Sequence, residues 1–213
     1  MNQNSIHILD NFISYWGTCL LLFLYDKIVH NKIFSGKKVY HLPDSLSKIF
    51  LIVLFNQAVV TFPIFFLIKD IYEGDGLFEI SNLYKFPLVL LVHEFMFYYL
   101  HYFLHTPYLF TKIHHIHHRW RYPIAISTFY THPLEQLFVN VLPIVISGLI
   151  CNLNFSTMRF WHIFSILNST ILAHGGFDYK GRTSFHDIHH KNIKYNYGTI
   201  GFFDKLNKTD LNF

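Results

Sequence analysis

The stretch KIFLIVLFNQAVVTFPIFFLIK, residues 48–69, decides the fold. It is apolar over nearly its whole length, and about 20 apolar residues are enough for a helix to cross a bilayer. Four further apolar stretches lie around it, at residues 12–25, 86–104, 134–151 and 157–174. The stretches at 12–25, 134–151 and 157–174 are short, so each of them either crosses the bilayer, enters it part way or forms a buried core helix. We predict an all-α integral membrane bundle of about four to five membrane helices.

The composition supports a membrane protein of a single structural domain. Of the 213 residues, 52% are apolar and only 14% are charged, and the mean hydropathy is +0.27. Residues 1–11 contain no Lys or Arg and no small-residue cleavage pattern follows Leu24, so we expect the first stretch to be retained. Cys19 and Cys151 lie in apolar stretches, and we expect neither a disulfide framework nor a zinc–cysteine site.

Basic residues are concentrated in segments that would all face one side of the membrane. Segments 26–46 and 105–132 and the tail from residue 175 carry thirteen of the seventeen Lys and Arg residues, whereas the loop 70–84 carries four acids and no base. The positive-inside rule makes the basic side cytosolic. Two half-inserted hairpins would give the same sidedness. The bases form no dense stripe, so we expect lipid head groups and no nucleic acid as their partners.

Nine of the sixteen histidines have spacings that suit metal binding. They are His101 and His105; His114, His117 and His118; His174; and His186, His189 and His190. Residues at i, i+3 and i+4 share one face of a helix, so the imidazoles of each run can converge on a common point. Neutral imidazole is the commonest side-chain metal ligand. Nine imidazoles exceed the needs of a single zinc ion, so two metals fit better. The absence of cysteine ligands favours iron, zinc, copper(II) or nickel, and open positions on iron would allow activation of O2.

Four further residues are candidates to support these ligands. Glu94 either hydrogen-bonds Tyr98 or an interior backbone group, or it orients a ligand imidazole. His115 points about 100° away from its neighbours, so it is solvent-exposed or supports a ligand. His132 either caps a helix beginning at Pro133 or binds metal. Asp187 either hydrogen-bonds a ligand or is a solvated acid. His93 is adjacent to Glu94 and would point elsewhere, so we leave it out of the site.

Six motifs follow one another along the chain. They are Glu94-x-x-x-Tyr98-x-x-His101-x-x-x-His105, Lys112-x-His114-His115-x-His117-His118, His132-Pro133-Leu134-Glu135, His174-Gly175-Gly176-Phe177-Asp178, His186-Asp187-x-His189-His190 and Asn196-Tyr197-Gly198. Their order resembles that of the motifs in the fatty acid hydroxylase/sterol desaturase superfamily. The six motifs cover about residues 90–210 and are most similar to the 4-methylsterol monooxygenase branch. The resemblance divides the chain into N-terminal membrane helices and loops at 1–85 and a catalytic region at 86–213.

The resemblance implies a membrane enzyme of the endoplasmic reticulum, with a histidine-ligated di-iron centre on the cytosolic face. Electrons would come from NAD(P)H through cytochrome b5 or its reductase, and O2 would oxidise an unactivated C–H bond of a sterol or fatty acyl lipid. The nine histidines would be the iron ligands. We identify no catalytic residue beyond them. Two departures matter: Tyr102 stands where family members usually have Arg, and Thr170 stands where the fatty acid 2-hydroxylase branch has His, which favours the sterol branch.

Other functions stay open at this stage. A desaturase of the same superfamily would carry the same histidines. A metal transporter should hold its ligands near mid-membrane, whereas these clusters lie at helix ends. A non-catalytic relative would keep the metal for structure alone.

Overall fold

The computed structural model describes residues 3–29, 44–68, 71, 80–121, 123–175 and 184–211. Most of the acidic loop, part of the basic segment 26–46 and Gly176–Asp178 of the His174 motif lie outside the described residues. Within them the chain is helical and has no strand, which confirms the predicted all-α class.

Five long helical rods form the bundle. Rod 1 comprises α1 (Gln3–Phe12), a π-helical segment (Ile13–Gly17) and α2 (Thr18–Val29). Rod 2 comprises α3 (Leu46–Phe55), a π-helical segment (Asn56–Thr61) and α4 (Phe62–Ile68). Rod 3 is a 3₁₀ turn (Ile80–Lys85) that continues into α5 (Phe86–Leu104).

Shorter elements connect rod 3 to the last two rods and end the chain. The connection contains α6 (Pro107–Leu109), a π-helical segment (Phe110–His114), α7 (His115–His118) and a 3₁₀ turn (Ala125–Phe129). Rod 4 comprises α8 (Pro133–Glu135), a π-helical segment (Gln136–Val141) and α9 (Leu142–Ile150). Rod 5 comprises α10 (Phe155–Leu167) and a π-helical segment (Asn168–Ala173), and α11 (Phe185–Lys191) and α12 (Phe202–Asn207) follow it.

Four of the rods are long and apolar enough to cross a membrane. These spans are Ile6–Tyr25, Leu46–Leu67, Asn82–Leu104 and Pro133–Ile150. Rod 5 is not among them, and it carries the charged Arg159 and the polar His162, which lower its hydropathy. Four spans agree with the predicted four to five, and the chain is an integral membrane protein.

Side-chain contacts show that successive rods run in opposite directions. At one end of the bundle the ring of His7 packs against Phe65 and Phe155, which bring rods 1, 2 and 5 together. At the other end the Tyr15 hydroxyl donates to the Ile126 carbonyl at 2.8 Å. The ends of rods 3 and 5 and the start of rod 4 meet at this second end, which we call the site end.

Several polar side chains inside the bundle have hydrogen-bond or ion-pair partners on other segments. The Asn56 amide donates to the carbonyls of Phe129 and Thr131, and it is completely buried. Asp10 and Arg159 form a two-pronged ion pair between rods 1 and 5. Unpaired polar groups are costly in a bilayer, so these contacts fix how the rods pack.

Candidate metal centre

The nine predicted histidines gather at the site end in two groups. The first group contains His101, His105, His114, His118 and His189, and the second contains His117, His174, His186 and His190. Within each group the facing ring nitrogens lie within 4.8 Å of one another. The groups are adjacent, since the ring centroids of His118 and His190 are 4.7 Å apart. Their arrangement matches a site for two metal ions.

Each His-x-x-His-His run contributes to both groups, so our expectation that a run converges on one point was wrong. His114 and His118 enter the first group, but His117 enters the second. In the later run, His186 and His190 enter the second group and His189 the first. The reason is helical phase: residues at i and i+4 differ by about 40°, whereas the adjacent residues at i+3 and i+4 differ by about 100°. Each run therefore bridges the two groups.

Backbone carbonyls hold three of the imidazoles through Nδ1. Nδ1 of His101 lies 2.6 Å from the Tyr197 carbonyl oxygen, and Nδ1 of His189 lies 2.6 Å from that of Tyr195. Nδ1 of His174 lies 2.8 Å from the carbonyl oxygen of Ser169. A carbonyl only accepts, so Nδ1 carries the proton and donates it, and Nε2 of a neutral ring presents a lone pair.

The Nε2 atoms face one another at distances that suit a shared cation. In the first group His101 and His114 are separated by 3.0 Å, and His105 and His189 by 3.1 Å, Nε2 to Nε2. His101 and His189 therefore each turn an Nε2 lone pair toward neighbouring rings at this distance. Donors at right angles on one metal, each about 2.1 Å from it, would be about 3.0 Å apart. The donor set therefore fits a metal.

The protonation state agrees with this fit. Burial, and then the neighbouring imidazoles, hold the pKa values of five of these rings well below the ordinary value of 6.5, so the rings are neutral at physiological pH. These five are His114, His117, His118, His186 and His190. Burial also lowers the pKa of His105 and His189. Metal binding requires the neutral form of imidazole.

The two groups differ in the number of donors that they offer. The first has five imidazoles, one more than a structural zinc site uses, and the second has four. Iron accepts imidazole ligands and higher coordination numbers. No cysteine belongs to either group, and Cys19 and Cys151 are free thiols.

Glu135 is a candidate supporting residue that the sequence analysis quoted only as part of a motif and gave no role. It is 3% exposed, and its Oε2 lies 2.9 Å from Nδ1 of His114. A carboxylate behind a ligand imidazole fixes the ring and raises its basicity. The available signal was an acid at the entrance of an apolar stretch, but its partner on a different helix could not be read from spacing.

Glu94 hydrogen-bonds backbone groups, which was the first of the two alternatives for this residue. Its fully buried carboxylate accepts the backbone N–H groups of Thr199, Ile200, Gly201 and Phe202, and also the Thr199 hydroxyl. Those residues follow Tyr197, whose carbonyl holds His101. Glu94 therefore positions a ligand indirectly, through the C-terminal segment.

Asn196 and Asp204 complete the support of this segment. The Asp204 carboxylate accepts the N–H groups of Tyr197 and Gly198 at 2.8 Å. Asn196 has a positive φ of 60° and pairs with Leu211 through its amide. The Asn196-Tyr197-Gly198 motif thus presents the Tyr197 carbonyl that holds His101, and Tyr195, directly before the motif, presents the carbonyl that holds His189.

The other three supporting candidates have different surroundings. His115 is exposed and belongs to neither group. His132 also lies outside both groups, and its Nδ1 accepts the backbone N–H of Leu134 at 3.1 Å, which caps rod 4. Asp187 is 3% exposed and lies in α11 between the ligands of the two groups.

A cavity of about 390 Å³ opens from the histidines into the bundle. His101 and His174 lie at one end, and the walls come from rods 3, 4 and 5. Leu172 and Ile200 line it and are 64% and 59% exposed, so the cavity reaches the lateral surface of the bundle. An apolar molecule entering from the bilayer could reach the imidazoles.

Comparison with known families identifies this arrangement. The sequence model of the fatty acid hydroxylase family matches residues 86–209, more than half of the chain. The chain belongs to the fatty acid hydroxylase family. This confirms the predicted superfamily.

The similar proteins include members of the predicted methylsterol branch. The chain is 34% identical to human fatty acid hydroxylase domain-containing protein 2, over 76% of this chain and 51% of that protein. It is 30% identical to methylsterol monooxygenase 1 of Danio rerio, over 78% of this chain and 63% of that protein. The chain is also 30% identical to a fatty acid hydroxylase of Mycosarcoma maydis, over 81% of this chain and 48% of that protein. The chain thus spans about half to two thirds of these relatives. No solved structure matches it significantly.

Proposed function

We propose that this protein is a membrane-bound di-iron lipid oxygenase. The observation that carries the proposal is the position of two adjacent groups of neutral imidazoles at the end of a cavity that reaches the lateral surface of a membrane bundle. The family match supports a lipid hydroxylase or oxidase. Two iron ions, bound by the nine histidines, would supply the activation of O2 that side chains cannot perform.

The residues of the chain would position the metals and the substrate. The Nε2 atoms of both groups would hold the ions, and the carbonyls of Tyr195 and Tyr197 would orient two of the rings. Glu135 would keep His114 in its orientation. The apolar walls would hold a C–H bond near the metals and exclude water. No side chain need act as nucleophile or general base.

The substrate class follows from the cavity and the relatives. We propose a sterol, oxidised as in a 4-methylsterol oxidase, or a fatty acyl lipid; the zebrafish relative is named a methylsterol monooxygenase. A desaturase would differ in its product only. A metal transporter is less well supported, because both histidine groups lie at one end of the bundle. A non-catalytic relative would not require the cavity.

We further propose the endoplasmic reticulum as location, with the site end facing the cytosol. Lys112, Arg119 and Lys191 lie at this end, as the positive-inside rule requires. Electrons would come from NAD(P)H through cytochrome b5 or its reductase, which dock from the cytosol.

Lipid profiling of a eukaryotic host tests the proposed reaction. Sterols and fatty acids are compared by mass spectrometry in cells that express the protein or its His189→Ala variant. We expect a new oxidised lipid, or consumption of a 4-methylsterol, with the intact protein alone. Identical profiles, from a protein shown to carry iron, would contradict an oxygenase acting on these lipids.

A further inference from the structure

The cavity contains polar side chains where its walls should be apolar. His93, Asn140 and Asn168 line it from rods 3, 4 and 5 respectively. All three lie within rods of the bundle, and around them the walls are built from apolar side chains such as Phe97, Val139 and Ile166. Polar groups at membrane depth are expensive and indicate function.

The three polar residues lie at a similar depth below the histidines. His93 precedes His101 by eight residues, or about 12 Å along a helix. Asn140 follows Glu135 by five residues and Asn168 precedes His174 by six, or about 8 and 9 Å. Three different rods therefore each place a hydrogen-bonding group in the cavity about 8–12 Å from the site end.

These side chains have unused hydrogen-bonding capacity. Among the described residues, neither ring nitrogen of His93 has a hydrogen-bond partner, and its ring contacts are with Phe97 and Trp161. The Asn168 side chain makes no hydrogen bond in that part of the chain either. Asn140 uses one N–H, which donates to Gln136 at 3.0 Å. An amide offers two donors and two acceptor sites, so most of this capacity is available to a ligand.

The charge of the cavity defines the chemistry of that ligand. Among the described lining residues no Lys or Arg is present, and the one acid, Glu135, faces His114. A carboxylate or phosphate would lack a counter-charge at the depth of the three polar residues. A neutral hydroxyl or carbonyl would satisfy amides and an imidazole without one.

We propose that His93, Asn140 and Asn168 form a subsite that binds the neutral hydroxyl or keto oxygen of a linear acyl lipid, about 8–12 Å from the carbon placed at the metals. A 4-methylsterol carries its 3-hydroxyl on the carbon next to the one that bears the methyl group, which is too close to the oxidised carbon to reach this subsite, so the inference favours the linear lipid. This inference deepens the proposed function and rests on it for the lipid that fills the cavity. The subsite would set which carbon of the lipid reaches the histidines.

Paired lipids that differ by one hydroxyl test the subsite. Equilibrium binding of tritiated 5α-cholestan-3β-ol and 5α-cholestane, and of 1-hexadecanol and hexadecane, is measured on the purified full chain in nanodiscs. We expect 1-hexadecanol to bind at least tenfold more tightly than hexadecane. A preference below twofold in this linear pair would overturn the proposal, whatever the sterol pair shows, and the comparison needs no variant.

Substitution then assigns the preference to these residues. Asn168→Leu should reduce the preference for the alcohol over the hydrocarbon to below threefold and leave the affinity for the hydrocarbon unchanged. A general loss of structure would lower both affinities. Asn207→Leu, an exposed Asn of α12 outside the cavity, is the matched control and should keep the preference. An unchanged preference in Asn168→Leu would remove Asn168 and overturn the subsite as assigned.

The same samples separate this inference from the proposed reaction. A hydroxyl preference in a protein that forms no oxidised lipid would contradict the oxygenase and leave the subsite standing. Formation of an oxidised lipid by a protein that shows no hydroxyl preference would support the oxygenase and overturn the subsite.

Discussion

The pairing of ring nitrogens is the residue-scale feature on which the metal proposal depends. Backbone carbonyls accept the Nδ1 protons of His101 and His189, so their Nε2 lone pairs face other imidazoles about 3 Å away. A cation bound between the rings would accept these lone pairs. The residues that set the tautomers therefore matter as much as the ligands.

Glu135→Gln tests the carboxylate that lies 2.9 Å from Nδ1 of His114. The amide keeps the size of the side chain but loses its charge, so His114 becomes a weaker donor. We expect iron affinity or activity to fall about 10- to 100-fold, measured as iron per chain after dialysis against a chelator. Asp210→Asn, at an acid that belongs to neither histidine group, is the control. Full iron retention in Glu135→Gln would show that Glu135 has no influence on the site.

Gly198→Ala tests the C-terminal support of His101. A Cβ at this position would lie 2.7 Å from Oδ2 of Asp204 and closer still to Oε1 of Glu94. The segment that carries Tyr197 must then shift, and we expect about 1–3 kcal/mol of destabilisation together with a loss of bound iron. Thermal unfolding and metal analysis measure both.

Gly17→Ala is the matched control, since a Cβ there meets nothing within 4 Å. It should leave both quantities unchanged. Equal behaviour of the two variants would contradict the support role of the segment around Gly198.

At the scale of elements, helical phase explains why each of the two short His-x-x-His-His runs contributes to both histidine groups. A run with the spacing 0, 3, 4 directs two rings to one group and the third to the other. Three of the five described π-helical segments lie at the site: Phe110–His114 ends on a ligand, Asn168–Ala173 precedes His174 and Gln136–Val141 follows Glu135. Such segments are frequent at functional sites because they re-aim side chains.

Substitution within α7 tests this division. His118→Ala should weaken the first group and His117→Ala the second, so each variant should lose iron and activity. His115→Ala, on the same short helix but exposed, should keep both. Iron analysis together with lipid profiling measures the three variants. If His115→Ala lost as much iron as His118→Ala, His115 would have to be counted among the metal ligands.

Periodicity predicted most of the elements and the nine histidines, but not their partners. His93 was set aside because it is adjacent to Glu94, yet residues about 100° apart on a helix can both be functional. One faces the cavity and the other the C-terminal segment. Glu135 and the carbonyls of Tyr195 and Tyr197 meet the imidazoles only through the packing of distant segments, which spacing does not contain.

At the scale of the whole molecule, the bundle brings the two predicted regions together. Phe65 of rod 2, Val89 of rod 3 and Trp161 of rod 5 pack in one apolar cluster. We keep as a proposal the division into membrane helices at 1–85 and a catalytic region at 86–213 within one structural domain. Contacts across residue 85 support the single domain.

Cysteine labelling tests the proposed orientation. In a Cys19→Ser, Cys151→Ser background, Lys191→Cys lies at the site end and Tyr84→Cys, at a position 77% exposed, lies at the opposite end. An impermeant maleimide applied to the cytosolic side of sealed microsomes should label the first and not the second. Labelling of Tyr84→Cys alone would reverse the orientation.

Metal analysis of the purified full chain tests the central claim most directly. We predict two iron ions per chain by mass spectrometry, with a Mössbauer spectrum of two high-spin sites. Chelation should remove both ions together with the activity. A single zinc ion per chain, or no metal in protein that is folded and inserted in membranes, would contradict the di-iron centre.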